Sequence, residues 1–147
     1  MAEPYCLAMV LCDGVHRDAA TGKSTILGTF SALGAKEFPA RVLFWVYFAV
    51  TDALGPTTLR LRIVDASSGI ANGSGEDASM VPEASWDHDF EDPLMVLEVG
   101  AQIDTVLPKP GLYHCELWAR NDLLMSRRLL AVQGPTEQEK GEGESHG

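Results

Sequence analysis

Three short stretches carry side chains with chemistry to offer. The first is "RDAATGKST", residues 17–25, whose Gly22, Lys23 and Ser24 resemble the end of a phosphate-binding loop. That loop is Gly-x-x-x-x-Gly-Lys-Ser/Thr between a strand and a helix, because the first N–H groups of the helix hold the phosphates. Here Arg17 stands where the first Gly belongs, and "STILGTFSAL" follows, rich in β-branched residues and interrupted by Gly28. Such a run makes a strand. The expectation is a hairpin turn with Gly22 at positive φ and Lys23 in solvent.

The second stretch is "WDHDFED", where Asp87, His88 and Asp89 combine carboxylate and imidazole ligands. Calcium takes about six to eight oxygens, which loop carboxylates can supply, but the Asp-x-Asp-x-Asp-Gly spacing is absent. Zinc would want more His or Cys nearby. In an extended chain Asp87 and Asp89 share one face and His88 takes the other, so only a loop would gather all three. Metal or small-ligand binding at these residues is the alternative function, and solvated acids on a loop the plainer reading. The third stretch, His114-Cys115, places base and thiol on opposite faces of a strand, which excludes a dyad. No Gly-x-Ser-x-Gly elbow occurs. No catalytic residue, no enzymatic activity and no cofactor is expected.

The elements that must position these residues follow a period of two. Leu59, Leu61 and Ile63 alternate with Arg60, Arg62 and Val64; Met95, Leu97, Val99, Ala101 and Ile103 share a face opposite Glu98, Gln102 and Asp104. Tyr113, Cys115, Leu117 and Ala119 oppose His114, Glu116, Trp118 and Arg120. Turn formers separate the runs, with a hairpin expected at Asn121-Asp122. Strands are expected near 5–12, 24–33, 41–51, 57–65, 94–106, 112–120 and 124–133, with one more short strand around 78–82. The fold class is all-β: a single antiparallel β-sandwich of about seven strands, immunoglobulin-like in general shape, over residues 1–133. From 134 to 147 no apolar residue can anchor the chain, and a disordered acidic tail is expected.

Charge narrows the function. The 147 residues carry a net charge of −10. It lies in two places: Glu76, Asp77, Glu83, Asp87, Asp89, Glu91 and Asp92 in one segment without Lys or Arg, and Glu137, Glu139, Glu142 and Glu144 against Lys140 in the tail. A nucleic-acid binder needs a net basic face, and none is visible. Cys6, Cys12 and Cys115 form no CxxC pair and read as reduced thiols in a cytoplasmic protein. "YCLAMVLC" is too short and too acidic in its approach for a signal peptide, and no run reaches membrane-span length.

The stretch "RVLFWVYFAV" is apolar on both faces: Val42, Phe44, Val46, Phe48 and Val50 on one, Leu43, Trp45, Tyr47 and Ala49 on the other. A two-layer sandwich buries only one face of each sheet, so the second needs a cover. Either Trp86 and Phe90 of the acidic segment fold back as a lid, or Leu43, Trp45, Tyr47 and Trp118 form a surface for a protein partner or a homo-oligomer. A non-enzymatic interaction or assembly module is the leading functional expectation, with no nucleic-acid or membrane partner.

Four steps, "LCDG" (11–14), "GKSTILGTF" (22–30), "FPAR" (38–41) and "PGLY" (110–113), make the chain resemble an uncharacterised bacterial family of small β-sandwich proteins, a domain-of-unknown-function group. The resemblance spans about residues 5–133. It implies a bacterial cytosolic sandwich and carries over no activity, ligand or catalytic residue.

Overall fold

A computed structural model describes residues 3–66 and 83–134. Its regular elements are nine strands: β1 (Tyr5–Arg17), β2 (Ser24–Thr29), β3 (Ala32–Ala35), β4 (Ala40–Thr51), β5 (Gly55–Asp65), β6 (Glu83–Phe90), β7 (Leu97–Leu107), β8 (Gly111–Ala119) and β9 (Asp122–Gln133). They form two sheets, ordered β2-β1-β4-β7 and β3-β9-β8-β5-β6. Alternation in the chain decides which face turns inward. Leu59, Leu61 and Ile63 of β5, Tyr113, Cys115 and Leu117 of β8, and Phe44, Val46, Phe48 and Val50 of β4 join one buried core. Arg60, Arg62, His114 and Glu116 take the alternate positions and avoid it.

Among the described residues the strand count is nine where about seven are expected, and two differences have clear causes. The run 24–33 is two strands because the chain changes sheets at Phe30-Ser31. Phe30 N–H donates to Leu11 O (3.1 Å) in one sheet, and Leu130 N–H donates to Ser31 O (2.9 Å) in the other. Beyond that crossing β3 runs parallel to β9, so pairing is not antiparallel throughout. The second difference is β6, which pairs with β5 from Gly55↔Phe90 to Arg62↔Glu83. Its acids suggest a loop, yet Trp86, His88 and Phe90 alternate with Asp87 and Asp89. The alternation decides the structure. The expected strand at 78–82 lies outside the described residues, as does the acidic tail beyond Gly134.

The turns follow their chemistry. Gly22 has φ 74°. The Asp18 carboxylate accepts both the N–H (3.0 Å) and the hydroxyl (2.7 Å) of Thr21, which holds its pKa below the ordinary value. Gly22-Lys23-Ser24 is therefore a hairpin turn between two strands. At the β8–β9 hairpin the turn residues are Arg120 and Asn121, one position earlier than expected, with Arg120 at φ 56°. At "PGLY", Gly111 has φ 146° and the Tyr113 hydroxyl donates to Lys109 O (2.6 Å), tying the β7–β8 corner to the core.

Two substitutions test this core with opposite signs. Tyr113→Phe removes the Lys109 hydrogen bond and should cost about 1 kcal/mol of unfolding free energy. Thr105 Oγ1 is buried with no hydrogen-bond partner, so Thr105→Val should gain about 1 kcal/mol by removing an unsatisfied hydroxyl at nearly constant shape. Urea unfolding at unchanged m reads both.

Candidate functional site

The apolar outer face of β4 is where a function was expected, and the structure covers half of it. Tyr47 is only 8% exposed and Ala49 is buried, whereas Leu43 is 63% exposed and Trp45 half-buried. The cover is the distal half of the β1–β2 hairpin. β1 pairs with β4 up to Cys12↔Trp45 and then leaves it, carrying β2 along from Cys12↔Thr29 to Arg17↔Ser24. The departing hairpin crosses β4 and lands on β7. Arg17 Nη2 donates to Glu98 O (3.1 Å) and pairs with its carboxylate (3.6 Å), which also accepts the Ser24 hydroxyl (2.9 Å).

That landing depends on a residue without a side chain. Gly100 pairs with Tyr47 across β4 and β7, and a Cβ at Gly100 would stand 2.9 Å from Val15 Cβ. Glycine at this point lets the hairpin lie flat on the sheet while Tyr47 fills the space beside it. Burial raises the Tyr47 pKa, and the neighbouring Glu98 carboxylate raises it further. At the bend itself, Gly28 has φ 64° and leaves room for the Asp13 carboxylate, which occupies the place of its missing side chain.

The expected lid is therefore the wrong segment. Trp86 and Phe90 belong to the core: the Trp86 ring meets Phe48 edge-on at 5.5 Å, and Phe90 is fully buried. Nor do the four candidate binding residues share a surface. Leu43, Trp45 and Tyr47 lie on β4, whereas Trp118 lies on the outer face of the other sheet. There its indole N–H donates to Glu116 Oε1 (3.0 Å), Arg60 stacks over its ring at 5.9 Å, and Arg62 pairs with Glu116 (3.7 Å).

Asp87, His88 and Asp89 stay apart as an extended chain requires. Asp87 and Asp89 are exposed, and Asp87 accepts the Thr58 hydroxyl (2.7 Å). His88 lies on the other face, edge-on to Phe90 at 4.8 Å with Nε2 at 3.4 Å from Met95 Sδ. Among the described residues no three His, Cys, Asp or Glu side chains are grouped to hold a metal ion. His114 Nδ1 lies 3.2 Å from the Ser126 hydroxyl on the exposed outer face of β8 and β9. It makes a cross-strand contact on an open sheet surface.

What the hairpin leaves open is the other end of the β4–β7 face. Leu43 and Val106 (50% exposed) stand there in register with Asp104 and Arg41, which form a two-pronged ion pair at 2.6 and 2.9 Å. Beside them lies a cleft of about 420 Å³ lined by Asp13, Gly28, Phe30, Leu33, Val42 and Phe44 among others. Sequence reasoning missed the cleft. Its signal was the Cys12-Asp13-Gly14 step with the Gly28 interruption, which together mark where the hairpin bends.

A family of unknown function (DUF6941) matches residues 7–132, from within β1 to within β9. The chain belongs to that family. The four sequence steps that suggested an uncharacterised group all fall inside the match. None of the curated proteins compared matches the chain. No helix among the described residues is long and apolar enough to cross a membrane, a statement that leaves β-barrels aside.

Two outcomes test this geometry. Gly100→Val should lift the hairpin at a cost of about 1–3 kcal/mol, as overpacking does. Amide exchange should quicken in residues 13–17 and 24–29 and stay unchanged in β8. The second outcome concerns alkali. Burial raises the pKa of Cys6, Cys12, Tyr47 and Tyr113, and pushes Cys115 up to about 12 from the ordinary 9.0. The unfolded chain then loses these protons first, so stability holds below about pH 9 and falls as pH rises further. Urea midpoints measured at about pH 7 and about pH 10 read the difference.

Proposed function

We propose that the chain is a non-enzymatic interaction module of immunoglobulin-like arrangement that assembles through the uncovered end of its β4–β7 face. The observation that carries the reading is the pairing of exposed Leu43 and Val106 with the Arg41–Asp104 ion pair. Apolar residues flanked by one positive and one negative charge make a self-complementary patch. Under a two-fold axis Arg41 of each copy faces Asp104 of the other, and the two apolar pairs stack between them.

The finer fold assignment rests on strand order. The succession β1-β4-β7 in one sheet and β9-β8-β5 in the other follows the immunoglobulin order, and the tyrosine whose hydroxyl ties back to Lys109 stands two residues before Cys115. The parallel β3–β9 edge fits a first strand that divides between the sheets. The chain departs from antibody domains in lacking the intersheet disulfide, since β4 has no cysteine and all three thiols are free. Free, buried thiols favour a reducing compartment, which makes the cytoplasm the proposed location.

The test is solution mass by light scattering. The intact protein should be a dimer or larger, and Leu43→Arg combined with Val106→Arg should give a monomer of unchanged thermal midpoint. An intact protein that stays monomeric, or a double variant that still assembles, would overturn the patch as the interface.

A further inference from the structure

The departure of β1 leaves part of β4 without a neighbour. β7 pairs with β4 from Ala40 to Val50, but β1 pairs with it only from Trp45 to Thr51. On that side, residues 40–44 face no strand among the described residues, alternate N–H and C=O groups of this stretch point away from β7, and Val42, Leu43 and Phe44 line the cleft of about 420 Å³. The β2 side of β1 is also without a strand before Cys12, where β2 ends, and there the backbone is capped. Arg127 Nε donates to Met9 O (2.8 Å) and Phe30 N–H to Leu11 O (3.1 Å). No described group caps residues 40–44.

We propose that this cleft is a strand-addition site for an extended peptide that carries a Lys or Arg. The occupant follows from the walls. A run of unpaired backbone groups beside a sheet is completed by another strand, because only a strand offers donors and acceptors at the same repeat. Five residues of open edge span about 16 Å. The lining mixes apolar and polar surface in near-equal parts, and its apolar part includes Phe30 and Phe44, which meet edge-on at 5.9 Å, so an apolar side chain of the peptide has a place to enter. The Asp13 carboxylate stands in the same lining and is exposed, which favours a cationic side chain next to the apolar ones. The inference rests on the reading of the chain as an interaction module but not on its self-association. A monomeric protein that binds peptides keeps it, and an assembling protein that binds none removes it.

The probe is a phage-displayed library of random heptapeptides panned on the intact protein. Enriched peptides should lack Pro at their centre, alternate β-branched or other apolar residues, and carry Lys or Arg. Their binding should shift the amide resonances of residues 28–34 and 40–44. Ala32→Trp, a substitution at an exposed position of the cleft lining, should fill the slot and weaken binding at least tenfold. Asp13→Lys in the folded protein should turn the selection toward Asp and Glu. No enrichment, or enriched peptides that bind the Ala32→Trp protein equally well, would overturn the site. Concentration-dependent shifts at 28–34 and 40–44 that persist without peptide in the Leu43→Arg/Val106→Arg protein would overturn it too, by assigning the edge itself to a second copy.

Discussion

A strand that is apolar on both faces needs a cover on both, and β4 sits at the centre of this molecule because it meets that need twice. Its inner face packs into the common core through Phe44, Val46, Phe48 and Val50. Its outer face is covered by folding the end of the neighbouring strand back over it. Burying the Tyr47 side of the sheet is worth on the order of 25 cal/mol for each square ångström removed from water, which offsets the ladder bonds that β1 gives up by leaving β4. The hairpin then replaces those bonds by pairing with itself.

Much else is a consequence of that fold-back. β1 must bend past Cys12, which puts Asp13 against a glycine at positive φ. β7 must accept the hairpin, which puts glycine at position 100 and a carboxylate at Glu98 to hold Arg17 and Ser24. β2 must then travel from the outer layer to the far sheet, and it does so in two residues, becoming β3. The cleft beside Phe44 is the space this detour leaves. Structure and candidate site therefore share one cause: the departure that covers Tyr47 uncovers the backbone of residues 40–44.

The charge distribution separates the two outer faces. On the β8 side, Arg60, Arg62, Glu116 and Trp118 satisfy one another within the sheet. These half-buried contacts occupy the polar groups that would otherwise meet a partner. On the β4 side, Leu43 and Val106 have no such cover. An apolar contact surface fits the second face better than the first.

Period two in the chain was enough to determine that the protein is all-β, which face of β5, β7 and β8 turns inward, and that Gly22-Lys23-Ser24 is a turn. Each of these depends on neighbours within a few residues, through side-chain alternation or the φ that glycine permits. The β6 strand was legible in the same way, in Trp86, His88 and Phe90, but its acids obscured the pattern. The sequence also showed that the second face of β4 needs a cover. It did not show which segment supplies it, because the acidic segment and the β1–β2 hairpin both carry apolar side chains, and the choice rests on contacts between residues far apart in the chain, such as Val15 with Gly100 and Arg17 with Glu98. Tertiary structure alone put Trp118 on the opposite sheet from Trp45, since sheet membership follows from pairing and not from alternation. It alone opened the cleft, which exists only where two strands that begin as neighbours part.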